Sequence, residues 1–146
     1  MKILAAVDLS ESSQKIILET IKLASKIPCE VFLIHVVDPE PEFLGLDYGP
    51  KSSRMHLSNK IKKERTQLRE LAEKFSTENV ILKPLSMQGS TAETIITESE
   101  KLNCDIIILG SHGRGAMHQI LVGSVSEEVL RESRIPILII PTKDIT

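Results

Sequence analysis

The segment Gly110-Ser111-His112-Gly113-Arg114-Gly115 holds three glycines, a serine, a histidine and an arginine in six consecutive residues, and Gly123-Ser124-Val125-Ser126 follows it. Glycines let a backbone approach a ligand closely and adopt positive φ. The amides of such a loop, joined to a helix N-terminus, make an anion site. Ser124 and Ser126 add hydroxyls at that helix start, and Arg114 adds a positive charge. The chemistry these groups suit is phosphate binding. The same residues also serve plain structural ends, since Gly110 can terminate a strand and Ser124 can cap a helix. The chain has no G-x-x-x-x-G-K-[ST], so it is not a P-loop NTPase. No lysine follows the glycines to hold phosphates, and no obvious water-positioning base sits beside them. Binding with slow hydrolysis at most is therefore expected, with no catalytic residue assigned.

The elements that must carry these residues alternate. Ile3-Leu4-Ala5-Ala6-Val7 is an apolar run ending at Asp8, and serines at 10, 12 and 13 then offer a helix cap. A helix follows until Pro28 stops it. The run 31–37 is rich in β-branched residues, and His35 inside it reads as a hydrogen-bonded core histidine, not a catalyst. Prolines and glycines mark 38–53 as a mobile loop. A charged helix with an apolar stripe is expected over 54–75, its charges forming a solvated face. The run 80–86 reads as a weaker strand, which Pro84 demotes toward a sheet edge. Gly89-Ser90-Thr91 opens a helix to about Leu102, 105–110 is the clearest buried strand, and 124–131 and 137–140 read as helix and strand. Strands with continuous apolar runs, separated by helices, imply an α/β fold with a parallel sheet covered on both faces. No linker or shorter repeat divides the chain, so 1–146 is expected to be one domain. In such sheets ligands bind beyond the strand ends where strand order reverses. That directs attention to Asp8, to 36–38, to Gly89 and to Gly110.

Composition limits the alternatives. The chain has 146 residues, 41% of them apolar and 26% charged, and its formal net charge is −2, so it has the balance of a folded domain and no broad basic field for nucleic acid. Aromatic residues are 3%, too few for a base-stacking platform. Cys29 and Cys104 form neither a C-x-x-C pair nor part of a zinc pattern, and two isolated thiols fit a reducing cytoplasm. The N-terminus lacks the n-region, h-region and cleavage site of a signal peptide, and no apolar run is long enough to span a bilayer. A cytoplasmic protein without a membrane partner is expected.

The ordered spacing Gly110, Gly113, then nine residues, then Gly123-Ser124 resembles the ATP-binding signature of the universal stress protein family. The resemblance extends to 3–8 with its terminal aspartate, to 30–38 with His35-Val36, to Gly89, to 105–112, to 123–126 and to 136–140. It implies a single-domain, three-layer α/β/α fold of the adenine nucleotide alpha hydrolase kind. The implied sheet has five parallel strands in the order 3-2-1-4-5. The implied ligand is ATP, with Mg²⁺ accompanying the triphosphate. Asp8 would contact the ribose or a metal-linked phosphate, Val36 would offer backbone groups to adenine, and Ala6 and Val7 would line that pocket. Gln88 and Gly89 would border the adenosine. Gly110, His112, Gly113, Arg114, Gly123, Ser124, Val125 and Ser126 would wrap the phosphates. Ala6 departs from members that carry proline there. Phe43 and Tyr48 are candidates for a lid over the nucleotide. The resemblance also implies a homodimer, paired through the exposed edge of the fifth strand, Ile137 to Ile140.

The expected function is that of a cytoplasmic, nucleotide-dependent regulatory module of the stress response. A slow ATPase or nucleotide-dependent transferase, and a dimeric interaction module without nucleotide, are the alternatives. A phospho-acceptor receiver domain has a similar layout, but Ser86-Met87-Gln88 lacks the acceptor aspartate.

Overall fold

The computed structural model describes residues 1–38, 50–111 and 122–142. Among the described residues, five strands and four helices alternate: β1 (Lys2–Ala6), α1 (Ser13–Ala24), β2 (Glu30–Val37), α2 (Pro50–Phe75), β3 (Leu82–Gln88), α3 (Thr91–Lys101), β4 (Ile106–Gly110), α4 (Ser124–Glu132) and β5 (Ile137–Ile140). All strand pairs are parallel, in the order β3-β2-β1-β4-β5. This is the topology expected from the sequence.

Side chains alternate across each strand, and that divides the core in two. Ile3, Ala5 and Val7 of the first strand and its extension, with Val31 and Leu33 of β2, pack against Ile16 and Ile17 of α1 and Leu68 and Ala72 of α2. Leu4, Ile34, Val36, Ile107 and Leu109 pack on the other face with Ala92 and Ile95 of α3 and Val129 of α4. Helices α1 and α2 therefore cover one face, and α3 and α4 the other. The paucity of aromatic rings is met by aliphatic side chains, most of them fully buried in the two clusters.

Three local expectations are corrected. Helix α2 starts at Pro50 instead of 54, so the end of the expected loop is helical. Proline is suited to a first helical turn, where its missing N–H has no intrahelical partner to lose. No serine side chain caps α1: Ser12 is the N-cap residue but makes no capping bond. Its hydroxyl lies 2.8 Å from that of Ser10. The third strand runs from Leu82 to Gln88 instead of 80–86. Val80 closes a turn, its N–H bonded to Thr77 Oγ1 and its carbonyl to Thr77 N–H, before pairing begins.

Pro84 sits on the edge strand, opposite Leu33. Gly89 N–H donates to Val37 O at 3.1 Å, so odd-numbered positions of this strand turn their backbone groups toward β2. Pro84, at an even position, turns its missing donor outward, where it costs no ladder bond.

Candidate functional site

The sheet order reverses between β1 and β4. From β1 the chain passes to α1 on one face, and α4, which follows β4, lies on the other. The ends of these two strands therefore part around a crevice, the place where open α/β sheets take ligands. Ala6 ends β1 and Gly110 ends β4, and both are half-buried.

Asp8 is half-buried just past β1. Its Oδ1 accepts from the Ser10 N–H at 2.9 Å, from the Ser10 hydroxyl at 2.5 Å and from the Ser13 hydroxyl at 3.3 Å. Charge-assisted bonds of this kind are the strong ones. They fold the carboxylate into the β1–α1 turn, which passes through Leu9 at φ 64°. Asp8 thus organises its own loop at the mouth of the crevice. The supporting serines were read in the sequence only as helix caps. Their signal was an aspartate followed by closely spaced hydroxyls.

Val7 follows the last residue of β1, and its N–H donates to Ile34 O at 2.9 Å. Its carbonyl accepts a 2.9 Å bond from His35 Nδ1. A carbonyl can only accept, so Nδ1 carries a hydrogen. The other ring nitrogen, Nε2, lies 3.0 Å from Glu64 Oε2 of α2. Both residues are buried. His35 is therefore the hydrogen-bonded core histidine that the sequence suggested. Its carboxylate partner lay hidden in what read as a solvated charge run. Val36, beside it, is buried with its side chain in the cluster under α3 and α4.

At the end of β4, a Cβ on Gly110 would stand 2.8 Å from Ile16 Cδ1 and 3.0 Å from Thr142 Cγ2. A side chain there would press on α1 and on the segment after β5, which close on the bare glycine. Ser111 carries on from it, with its N–H on Ile140 O at 2.9 Å and its hydroxyl accepting from Thr142 N–H at 3.0 Å. Its carbonyl accepts from the buried Gly123 N–H. Gly123 is the N-cap of α4, in extended conformation with no side-chain cap bond. The Ser126 hydroxyl donates to Gly110 O at 2.7 Å. Ser124 is exposed, and Val125 packs into the core. The first amides of a helix have no intrahelical partner and attract anions. At α4 these amides are joined to the end of β4 through Gly123 and Ser126.

Across the sheet, Gln88 is exposed at the end of β3, and Gly89 follows at φ 138°, a value L side chains rarely adopt. A Cβ there would stand 2.9 Å from Thr94 Oγ1. These two residues end the strand next to β2, on the β2 side of the crevice. The described residues thus bring Ala6, Val7, Asp8, Val36, Gly110, Gly123, Ser124, Val125 and Ser126 to the C-terminal edge of β1, β2 and β4. The remaining site residues expected from the sequence, His112, Gly113 and Arg114, and the lid candidates Phe43 and Tyr48, lie outside the described residues.

Among the described residues, no group of three or more His, Cys, Asp or Glu side chains could hold a metal ion. Cys104 is buried, and that burial, the largest cause, pushes its thiol pKa up; Lys2 partly opposes it. Cys29 donates its thiol to Ala24 O at 3.3 Å. Neither cysteine reaches the crevice strands' C-terminal ends. No helix among the described residues is long and apolar enough to cross a membrane.

Comparison with known proteins agrees with this geometry. The family model for the universal stress protein family matches residues 1–141. Universal stress protein MJ0577 of Methanocaldococcus jannaschii is 30% identical, over 98% of this chain and 96% of its own. Universal stress protein YxiE of Bacillus subtilis is 28% identical, over 95% of this chain and 97% of its own. The solved structure of MJ0577 superposes with a TM-score of 0.82 at 29% identity, covering 98% of this chain and 96% of that one. A universal stress protein solved in complex with cAMP shares the fold, with a TM-score of 0.63 at 18% identity over 98% of both chains. A whole-chain family match and a shared sheet order lead to one conclusion: the chain belongs to the universal stress protein family.

Proposed function

We propose that the crevice between β1 and β4 binds ATP and that the protein is a cytoplasmic, nucleotide-dependent regulatory module of the stress response. ATP is turned over slowly or not at all. The observation that carries this reading is the union of Gly110, Gly123 and the uncapped first turn of α4 at one strand end, opposite Asp8. Amides without side-chain caps fit phosphate oxygens. Glycine at 110 keeps the strand end close to its neighbours. Asp8 would meet the ribose or a metal-linked phosphate, and Val36 would offer its backbone to adenine. Gln88 and Gly89 would border the adenosine, and His112, Gly113 and Arg114 belong to the phosphate side by their place in the sequence. Mg²⁺ would arrive with the triphosphate, which itself supplies most of the oxygens such an ion needs.

Titration calorimetry with Mg-ATP, ADP, AMP and cAMP tests this reading. A family member with the same fold was solved with cAMP, which supports including that ligand. Saturable binding of ATP at one site per chain is expected. Absence of heat with all four ligands would overturn the nucleotide reading.

A homodimer through β5 completes the proposal. Among the described residues, strand β5 pairs only with β4, and Ile137, Leu138 and Ile139 remain half-buried along it. An apolar edge of this kind needs covering. Sedimentation is expected to give twice the chain mass, and Ile139→Lys is expected to give monomers.

A further inference from the structure

Backbone groups along β2 alternate between its two neighbours. Glu30 N–H donates to Met1 O, and Ile34 O accepts from Val7 N–H, so even-numbered residues face β1. Val37 O accepts from Gly89 N–H, so odd-numbered residues face β3. Val36 therefore turns its N–H and carbonyl to the β1 side, at the crevice. One more rung of the ladder would set the Val36 N–H on the Val7 carbonyl. That carbonyl is held by the His35 ring at 2.9 Å instead, and β1 stops at Ala6.

We propose that His35 and Glu64 are positioning residues that stop the β1–β2 ladder one rung short, so that the Val36 N–H stays available to a ligand in the crevice. The ring does this by holding the carbonyl that the next rung of the ladder would use. Glu64 holds the ring in place from α2, through the 3.0 Å contact to Nε2. Nδ1 carries a hydrogen, because the Val7 carbonyl can only accept. The pair is buried, so its geometry is set by these partners and not by solvent. The ligand would be one with a hydrogen-bond acceptor on a flat heterocycle, such as a purine ring nitrogen. This part rests on the nucleotide reading above. The ladder arrest itself does not.

The test uses the full chain and two variants. His35→Leu with Glu64→Leu removes the ring and leaves no buried charge, an exchange that folded proteins commonly tolerate. Glu64→Gln keeps a partner for Nε2, because the glutamine amide can donate to a neutral ring. Amide exchange at Val36 is read by NMR without nucleotide, and ATP affinity is read by calorimetry. In the double leucine variant the ladder closes. Val36 exchange is expected to slow about tenfold or more, and ATP affinity to fall about tenfold, the worth of one hydrogen bond in a buried site. Glu64→Gln is expected to keep Val36 exchange fast and to recover most of the affinity. A purely structural role would loosen the site and speed exchange, the opposite sign. Unchanged or faster Val36 exchange in the double variant overturns the proposal, as does ATP binding equal to that of the parent. If the parent chain binds no adenine nucleotide, the nucleotide reading fails, while the exchange measurement still decides whether His35 arrests the ladder.

Discussion

Ser126 donates its hydroxyl hydrogen to the carbonyl of Gly110 at 2.7 Å, latching the first turn of α4 to the last residue of β4. The bond ties the start of α4 directly to the strand that precedes it. Ser126 is buried, so the carbonyl has little access to water as a replacement. Ser126→Ala is expected to lower unfolding free energy by about 1 kcal/mol in denaturant titrations. ATP affinity is expected to fall several-fold as the α4 amides lose their anchor. Equal stability and affinity in the variant would remove the latch from the account.

Gly110→Ala pushes a methyl against Ile16 Cδ1 and Thr142 Cγ2. Ile16 is 4% exposed and cannot swing into solvent. A loss of about 1–3 kcal/mol is expected, in the range for overpacking a well-filled site. Ile16→Val removes the clashing carbon. The double variant Gly110→Ala with Ile16→Val is therefore expected to lose less than the sum of the two single changes. Full additivity in unfolding titrations would show that the two sites do not meet.

Asp8 separates two roles that one substitution would confuse. Asp8→Ala removes the acceptor of three bonds, from the Ser10 N–H and hydroxyl and the Ser13 hydroxyl. It is expected to cost about 1–3 kcal/mol of stability as well as Mg-ATP binding. Asp8→Asn keeps an oxygen acceptor and loses the charge. Its stability is expected to lie closer to the parent, while Mg-ATP binding weakens more than binding of metal-free ATP. If the asparagine variant binds both forms as the parent does, the carboxylate serves the loop alone.

The Cys104 thiol is held neutral by burial, with its pKa raised above the ordinary value. In the unfolded chain the thiol ionises near its usual value of about 8.5. Above that pH the unfolded state gives up a proton that the folded state retains. The stability this thiol contributes is thus complete below about pH 8.5 and is lost as pH rises through the folded value. Denaturant titrations are expected to show an alkaline decline that Cys104→Ala makes shallower. A thiol reagent at neutral pH is expected to reach Cys104 only on unfolding, and rapid labelling of the native chain at this residue would contradict the burial.

The fold was legible because each strand announces itself as a compact apolar run. Those of 31–37 and 105–110 are long enough, and free enough of polar interruption, to require cover on both faces. Pro84 marked the edge correctly, because a proline has few other places in a sheet. Strand order and the crevice between β1 and β4 followed from family resemblance, since periodicity says nothing about which strands are neighbours. Side-chain partnerships across distant elements stayed hidden. Nothing in the local sequence links His35 to Glu64, because the pairing depends on how α2 lies across β2. The cap expected from one of the serines failed for a related reason: Asp8 and Ser10 drew the local hydroxyls toward the β1–α1 turn. The start of α2 at Pro50 was missed because proline was read as a loop residue, although it suits a first helical turn equally well.

The central claim is that this crevice holds ATP. The most direct measurement is made on the protein as purified, by denaturing it, extracting small molecules and identifying any nucleotide by chromatography and mass spectrometry. The account predicts ATP in near-stoichiometric amount, held without rapid consumption, or, from chain purified empty, one Mg-ATP bound per chain on addition. No nucleotide in the extract and no binding on addition would contradict it.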